Sequence, residues 1–183
     1  MRGIIYEKRI KFGIILVLVL FTVSVVIGVL FAAVPGACAS GLNSVDGDEI
    51  RWGGSTKYSN QLSTAIQQWN NLGKISILPD SIWTVEDLTI EDTYEPEVAW
   101  VGLWQKRPVG ADKIYLNTAK IDAKPAITTN VIMHELGHAL GINDHYEYSL
   151  CYSKSNLVMW YKANQYTSLQ PHDKDAYYDI WGN

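Results

Sequence analysis

The segment His134-Glu135-Leu136-Gly137-His138-Ala139-Leu140-Gly141-Ile142-Asn143-Asp144-His145 constrains this chain more than any other. An α-helix advances about 100° per residue, so His134 and His138 differ by about 40° in direction and one turn in height. The two imidazoles therefore share one edge and can reach a single metal ion. A helix cannot carry a third donor back to the same point, so the chain has to stop and turn. Gly141 can take φ > 0 there without a Cβ clash. Asp144 and His145, in the residues that follow, can both arrive beneath the metal.

Imidazole nitrogens bind Zn²⁺ at about 2.0 to 2.1 Å, and a carboxylate is an acceptable further ligand. Glu135, next to the first histidine, points along the adjacent flank, where a metal-bound water would sit. That placement suits a general base. Zn²⁺ lowers the pKa of such a water toward about 7, and the carboxylate takes its proton as the water attacks a carbonyl, then passes it to the leaving amine. His-Glu-x-x-His arises by chance in roughly one chain of this length in a few hundred. Gly141, the Asp144-His145 pair and Met159 beyond the loop make chance a poor account of the whole set.

Around this helix the chain reads as a mixture of both periodicities. Glu49 to Trp52 alternate as a short first strand ended by Gly53-Gly54, after a turn at Asp46-Gly47-Asp48. A core helix follows, capped by Ser59 or Asn60, with Leu62, Ala65, Ile66, Trp69 and Leu72 on one apolar face and Gly73 at its end. Four strands are expected next, in Ile75–Ile77, Ile82–Ile90, Val98–Trp104 and Ile114–Leu116, where β-branched and aromatic residues alternate with Pro and Gly breaks. Trp100 and Trp104 share one face of their strand, with sheet packing the default and a substrate groove the alternative. Thr128 or Thr129 caps the histidine-bearing helix, and Gln170-Pro171-His172-Asp173 opens a last helix with Ala176, Tyr177 and Ile180 on its inner face. Trp69 is read as core packing and His172 as a surface or capping residue.

The N-terminus follows different rules. A basic opening of Arg2, Lys8, Arg9 and Lys11 precedes 21 uncharged residues, Ile14 to Val34. That is the layout of an export signal, with Ala37-Cys38-Ala39 as a small-x-small cleavage site. The run also approaches the roughly 20 residues that span a bilayer, so a retained anchor competes with cleavage after Ala39. Residues 1–39 thus form a signal peptide or N-terminal anchor, and 40–183 one domain that is secreted or held on the outer face of the cytoplasmic membrane by 14–34. Without 1–39 the chain keeps 11 basic and 18 acidic side chains, a net of −7. This acidic balance argues against a nucleic-acid partner, and against a membrane contact other than an uncleaved N-terminus. If the cut occurs, Cys151 is left as a lone thiol, which is the expected state; if not, it can bridge to Cys38.

The run His134 to Asp144, with Met159 in Asn156-Leu157-Val158-Met159, resembles the extended zinc motif and Met-turn of the metzincin metalloproteases. Asp at 144, where most of that clan has histidine, followed by His-Tyr, is similar to the snapalysin type, and Gly137-His138-Ala139-Leu140-Gly141 to the matrixins. The resemblance implies an α+β fold, a twisted mixed sheet of about five strands with a core helix, an active-site helix and a C-terminal helix. It implies a zinc endopeptidase with His134, His138 and Asp144 as ligands of one catalytic Zn²⁺, His145 as the competing third ligand, and Glu135 as the catalytic base. Peptide or protein substrates would bind by strand addition on Trp100–Trp104, and the protein would act as a monomer. Met159 would floor the metal and Tyr161 could approach it. A structural Ca²⁺ is compatible with the family, though no loop with closely spaced oxygen ligands marks its place. Asp46 or Asp48 could act as a short aspartate latch, with an ordinary turn the simpler reading.

Overall fold

The computed structural model describes residues 38–146, 151 and 155–182; the apolar run Ile14–Val34 lies outside them. Among the described residues no helix is long and apolar enough to cross a membrane. The strands are β1 (Glu49–Ser55), β2 (Ser76–Pro79), β3 (Leu88–Thr93), β4 (Gly102–Gln105) and β5 (Asp112–Asn117). They form one five-stranded sheet in the order β2-β1-β3-β5-β4. The β1–β2, β1–β3 and β3–β5 pairs are parallel, and β4 runs antiparallel to β5 at the edge. The helices are α1 (Ser59–Asn70), the short α2 (Thr118–Ile121), α3 (Thr128–Ala139) and α4 (Pro171–Trp181), with a 3₁₀ turn at Pro125–Ile127. This is the α+β arrangement expected from the sequence, including four strands after the core helix.

Packing holds the helices in place. Ile50, Ile77, Leu88, Ile90, Ile114 and Leu116 bury the inner face of the sheet, against Leu62, Ala65 and Trp69 of α1 and the buried flank of α3. Trp69 is fully buried, and its indole N–H donates to Met133 O of α3 at 2.9 Å. Burying one such side chain contributes about 1.5–3 kcal/mol, whereas a side-chain N-cap contributes about 0.5–2 kcal/mol. Consistent with that order, neither α1 nor α3 has a side-chain cap, although Ser59, Asn60, Thr128 and Thr129 were expected to supply one. At α3 the preceding 3₁₀ turn runs straight into the helix, and Pro125 O accepts from both the backbone N–H and the hydroxyl of Thr128.

Local chemistry overrides the sequence pattern at three further places. β1 continues through Gly53 and Gly54, because Glu86 and the Ile90 backbone lie where a Cβ would stand. Ile82, Trp83 and Val85 are exposed loop residues: Thr84 Oγ1 donates to Asp80 Oδ1 at 2.6 Å and accepts from Ser81 N at 2.9 Å, closing a turn before β3 begins. Asp46 pairs with Glu49 through the backbone, an ordinary turn.

The expected lone thiol is replaced by a disulfide. Cys38 and Cys151 are bridged across 113 residues with Cα atoms 4.9 Å apart. Cys38 arrives there because the arm that follows it is built onto the end of α3. Ala39 pairs with Ile142, Ser40 N donates to Gly141 O, and Asn143 N donates to Cys38 O, each bond at 2.8 Å. The bridge therefore closes over the loop that follows Gly141. A cross-link over a loop this long contributes about 2–4 kcal/mol in typical cases. Cys151→Ser should lower unfolding stability by about that amount, and reductant should do the same to the parent but not to the variant. Urea unfolding with and without reductant reads this out, and a parent midpoint indifferent to reductant would refute the bridge.

Candidate metal centre

Helix α3 buries Val131, Ile132, Met133, Leu136 and Ala139 on the core side, which turns His134 and His138 toward a cleft. Their rings stand edge to face, with centroids 4.6 Å apart. His134 Nδ1 meets Val158 O at 2.9 Å, and His138 Nδ1 meets Ile142 O at 2.8 Å. A carbonyl can only accept, so each Nδ1 carries a proton and each Nε2 is the nitrogen left facing the cleft. Asp144 Oδ1 lies 3.1 Å from His134 Nε2 and 3.6 Å from His138 Nε2. Tetrahedral ligands on bonds of about 2.0–2.2 Å stand roughly 3.3–3.6 Å from one another. The two imidazoles and the carboxylate thus fit a Zn²⁺ ion, and all their donor atoms lie within 4.8 Å of one another.

The electrostatics of the cluster favour a positive charge. Burial opposes protonation of His134, but the hydrogen bond it donates to Asp144 when protonated and the charges of Glu135 and Asp144 overcome it, raising its pKa to about 9. His138 is lowered, by burial and then by the charge on His134. Burial also works against ionisation of Asp144, yet its contact with His134 and the neighbouring histidines hold it below the usual carboxylate range. A divalent cation would answer the same field.

His145 takes another place. It is fully buried, with Nε2 3.3 Å from Cys151 Sγ, and its donor atoms group with the two bridged cysteines. Burial, then the charge of His134, lowers its pKa to about 4. Successive side chains of an extended segment point to opposite sides, and His145 lies in such a segment, paired in parallel with Trp160. Asp144 therefore faces the histidine pair and His145 faces the disulfide. Among the described residues, neither of the two converging donor sets is the oxygen-only kind that Ca²⁺ takes.

Beneath the pair lies Met159, fully buried, and Gly137 is what lets it approach. A Cβ on Gly137 would collide with Met159 Sδ and stand 3.2 Å from Trp69. The turn carrying Met159 is held by Asp173, a residue whose role in the site the sequence did not disclose. Its fully buried carboxylate accepts Val158 N and Met159 N at 3.0 Å each and Gln170 N at 2.8 Å. Burial pushes this carboxyl upward while the three amides pull it down. The available signal was an acid at the third position of α4, which normally caps its own helix; here it caps the helix and the Met159 turn together.

Glu135 is nearly buried, and its Oε2 accepts the Trp104 amide N–H of β4 at 2.7 Å. β4 comes this close because Gly102 has no side chain: a Cβ there would stand 2.6 Å from Glu135 Oε1 and 2.7 Å from Val131 Cγ1. The cleft in front of these groups encloses about 770 Å³. Trp100 and Trp104, for which sheet packing was the default, both line it, and the Trp104 indole donates to Ser44 Oγ at 3.0 Å. Tyr161, half exposed, forms part of the facing wall. His172 sits apart at the start of α4, 3.0 Å from Asp175.

No protein-family model matches this chain, and no curated protein matches it. Several solved structures are similar to it, and those with a TM-score of 0.50 or more share its fold. Myroilysin superposes with a TM-score of 0.53 at 13% identity, over 80% of this chain and 98% of that one. The ECX AB5 holotoxin in its GM1-bound form gives 0.50 at 13% identity, over 75% and 82%. High choriolytic enzyme 1, a hatching enzyme zinc-protease from the medaka fish Oryzias latipes, gives 0.49 at 12% identity, over 73% and 88%. Likeness at such identity speaks to the fold alone.

Asp173 offers a direct check on how the floor of the site is held. Asp173→Ala leaves the buried amides of Val158 and Met159 and the half-buried one of Gln170 without their acceptor, and a buried unsatisfied group costs about 1–3 kcal/mol. The variant should lose at least about 2 kcal/mol, far more than Asp175→Ala on the exposed side of the same helix. Chemical unfolding of the two variants side by side measures the difference.

Proposed function

We propose that this chain is an exported zinc-dependent endopeptidase, with His134, His138 and Asp144 as the metal ligands and Glu135 as general base. One observation carries the reading: two imidazole Nε2 atoms and the Asp144 carboxylate converge in a cleft that also holds Glu135 and borders the edge strand β4. When bound there, Zn²⁺ would supply a Lewis acid for the peptide carbonyl and lower the pKa of a water toward about 7.

The chain's own groups do the rest. β4 is paired on one side only, and the Trp104 N–H reaches the cleft side, where it meets Glu135. An extended peptide can add to that free edge as a further strand, which lays its scissile carbonyl across the metal donors. Glu135, next to His134 and not itself among the converging donors, takes the proton from the attacking water and returns it to the departing amine. Val158 O and Ile142 O keep both imidazoles in one tautomer throughout. Tyr161, on the facing wall, is within the same cleft as the developing charge.

The N-terminus belongs to the same proposal. Cleavage after Ala39 would remove Cys38, and with it the disulfide and the pairing of Ala39 with Ile142 two residues before Asp144. We therefore favour a chain that keeps residues 1–37 and stays on the outer face of the cytoplasmic membrane through 14–34. The N-terminal sequence of the exported protein decides this. It should begin upstream of Cys38; a start at Ser40 would overturn the tether.

Glu135→Gln should keep stoichiometric zinc and lose at least about a hundred-fold in peptide hydrolysis, the scale of a general base. Asp144→Ala should lose zinc, while His145→Ala should keep it. Metal analysis paired with cleavage of an unfolded protein tests all three. Undiminished cleavage by Glu135→Gln would sink the mechanism, and a zinc-loaded parent that cuts nothing would leave a zinc-dependent peptide-binding protein.

A further inference from the structure

Two of the three proposed zinc ligands depend on one short segment, Gly141–Asp144. Its Ile142 O accepts from His138 Nδ1, and its last residue places a carboxylate 3.1 Å from His134 Nε2. The segment lies outside any helix or strand, so no regular ladder holds it. An arm that begins at Cys38 is laid along it instead. Ser40 N donates to Gly141 O and Asn143 N to Cys38 O, both at 2.8 Å, and Asn143 Nδ2 donates to Ala39 O at 2.9 Å. His134 is oriented from another quarter, by Val158 on the turn that Asp173 secures.

Main-chain bonds between two irregular segments are individually weak against water, and such segments open locally unless something ties them. Here the Cys38–Cys151 disulfide is the tie. Cys38 is fully buried and Cys151 nearly so, and His145, the residue after Asp144, sets its Nε2 3.3 Å from Cys151 Sγ. The bridge therefore bounds the ligand segment on both sides, with the arm along Gly141–Asn143 and a sulfur against His145.

We propose that the Cys38–Cys151 disulfide is a redox control on zinc affinity: the bridged chain holds Zn²⁺ tightly and the form with two thiols holds it weakly. The inference rests on His134, His138 and Asp144 as zinc ligands and not on peptide hydrolysis. Two small thiols open the bridge by way of a mixed disulfide. The S–S bond breaks, each sulfur takes up one electron and one proton to become a thiol, and the two reductant molecules leave joined as their own disulfide. Released at Cys38, the arm lifts from Gly141–Asn143, and Ile142 O and Asp144 lose their setting together. Loss of the groups that orient metal ligands weakens metal binding about 10–100-fold. Coupling is reciprocal, so zinc, by pinning Asp144, makes the buried bridge harder to reduce by the same factor.

The test measures zinc affinity of the full chain in detergent by competition with a chromophoric chelator. Cys38→Ser combined with Cys151→Ser should bind zinc at least roughly ten-fold more weakly than the bridged parent. A second measurement needs no variant. The parent, zinc-saturated or metal-free, is brought to equilibrium in a glutathione buffer and its free thiols are counted. At half-reduction the ratio of thiol squared to disulfide should be at least roughly ten-fold higher with zinc, and in Asp144→Ala that difference should vanish. The reduced parent should keep its far-ultraviolet circular dichroism, because the release is local. Equal zinc affinity with and without the bridge, a half-reduction point indifferent to zinc, or a chain that unfolds on reduction would overturn the control and leave the zinc and endopeptidase readings standing. A bridged parent that binds no zinc would overturn all three.

Discussion

The candidate metal centre depends on two hydrogen bonds, from the Nδ1 atoms of His134 and His138 to the carbonyls of Val158 and Ile142. Without them either imidazole could turn its other nitrogen to the cleft. Much of the rest of the domain positions those two carbonyls. Ile142 is paired with Ala39, and the neighbouring Asn143 donates to Cys38 O, so the N-terminal arm and its disulfide determine one of them. Val158 donates its own N–H to Asp173, so the C-terminal helix determines the other. Segments at the two ends of the described chain thus meet on the two histidines of one helix.

Close approach does the remaining work. α3 has near neighbours on two sides, and at each a glycine removes the atom that would keep them apart. Gly137 admits the Met159 side chain from below, and Gly102 admits Glu135 from the edge strand. Glu135 is thereby held between its own helix and the main chain of β4, while His134 and His138 are held by carbonyls from loops. Each group is oriented by backbone, which is less mobile than a side-chain partner. That is the rigidity the proposed catalytic constellation needs.

The periodic parts of the fold were legible. Leu62, Ala65 and Trp69 marked α1 as a core helix, and the four strand-like runs after it correspond to β2 through β5, although the second begins at Leu88 and not at Ile82. The misreadings share a cause. Ile82, Trp83 and Val85 look like strand by composition, but Ser81 and Thr84 spend their hydroxyls closing a turn. The threonines that open α3 look like caps, but a 3₁₀ turn already satisfies the first amide. Composition reports propensity, and local hydrogen bonding decided otherwise.

Sequence alone determined what depends on near neighbours along the chain: two imidazoles on one helical edge, Glu135 beside them, and a glycine turn at Gly141, whose φ is +90°. These follow from a helix period that needs no distant partner. Tertiary structure decided the rest. It turned Asp144 toward the histidines and His145 toward Cys151, joined Cys38 to that cysteine, and brought Asp173 under the Met159 turn. Each of those choices rests on a contact between segments far apart in sequence, and spacing within one segment carries no information about what will lie against it.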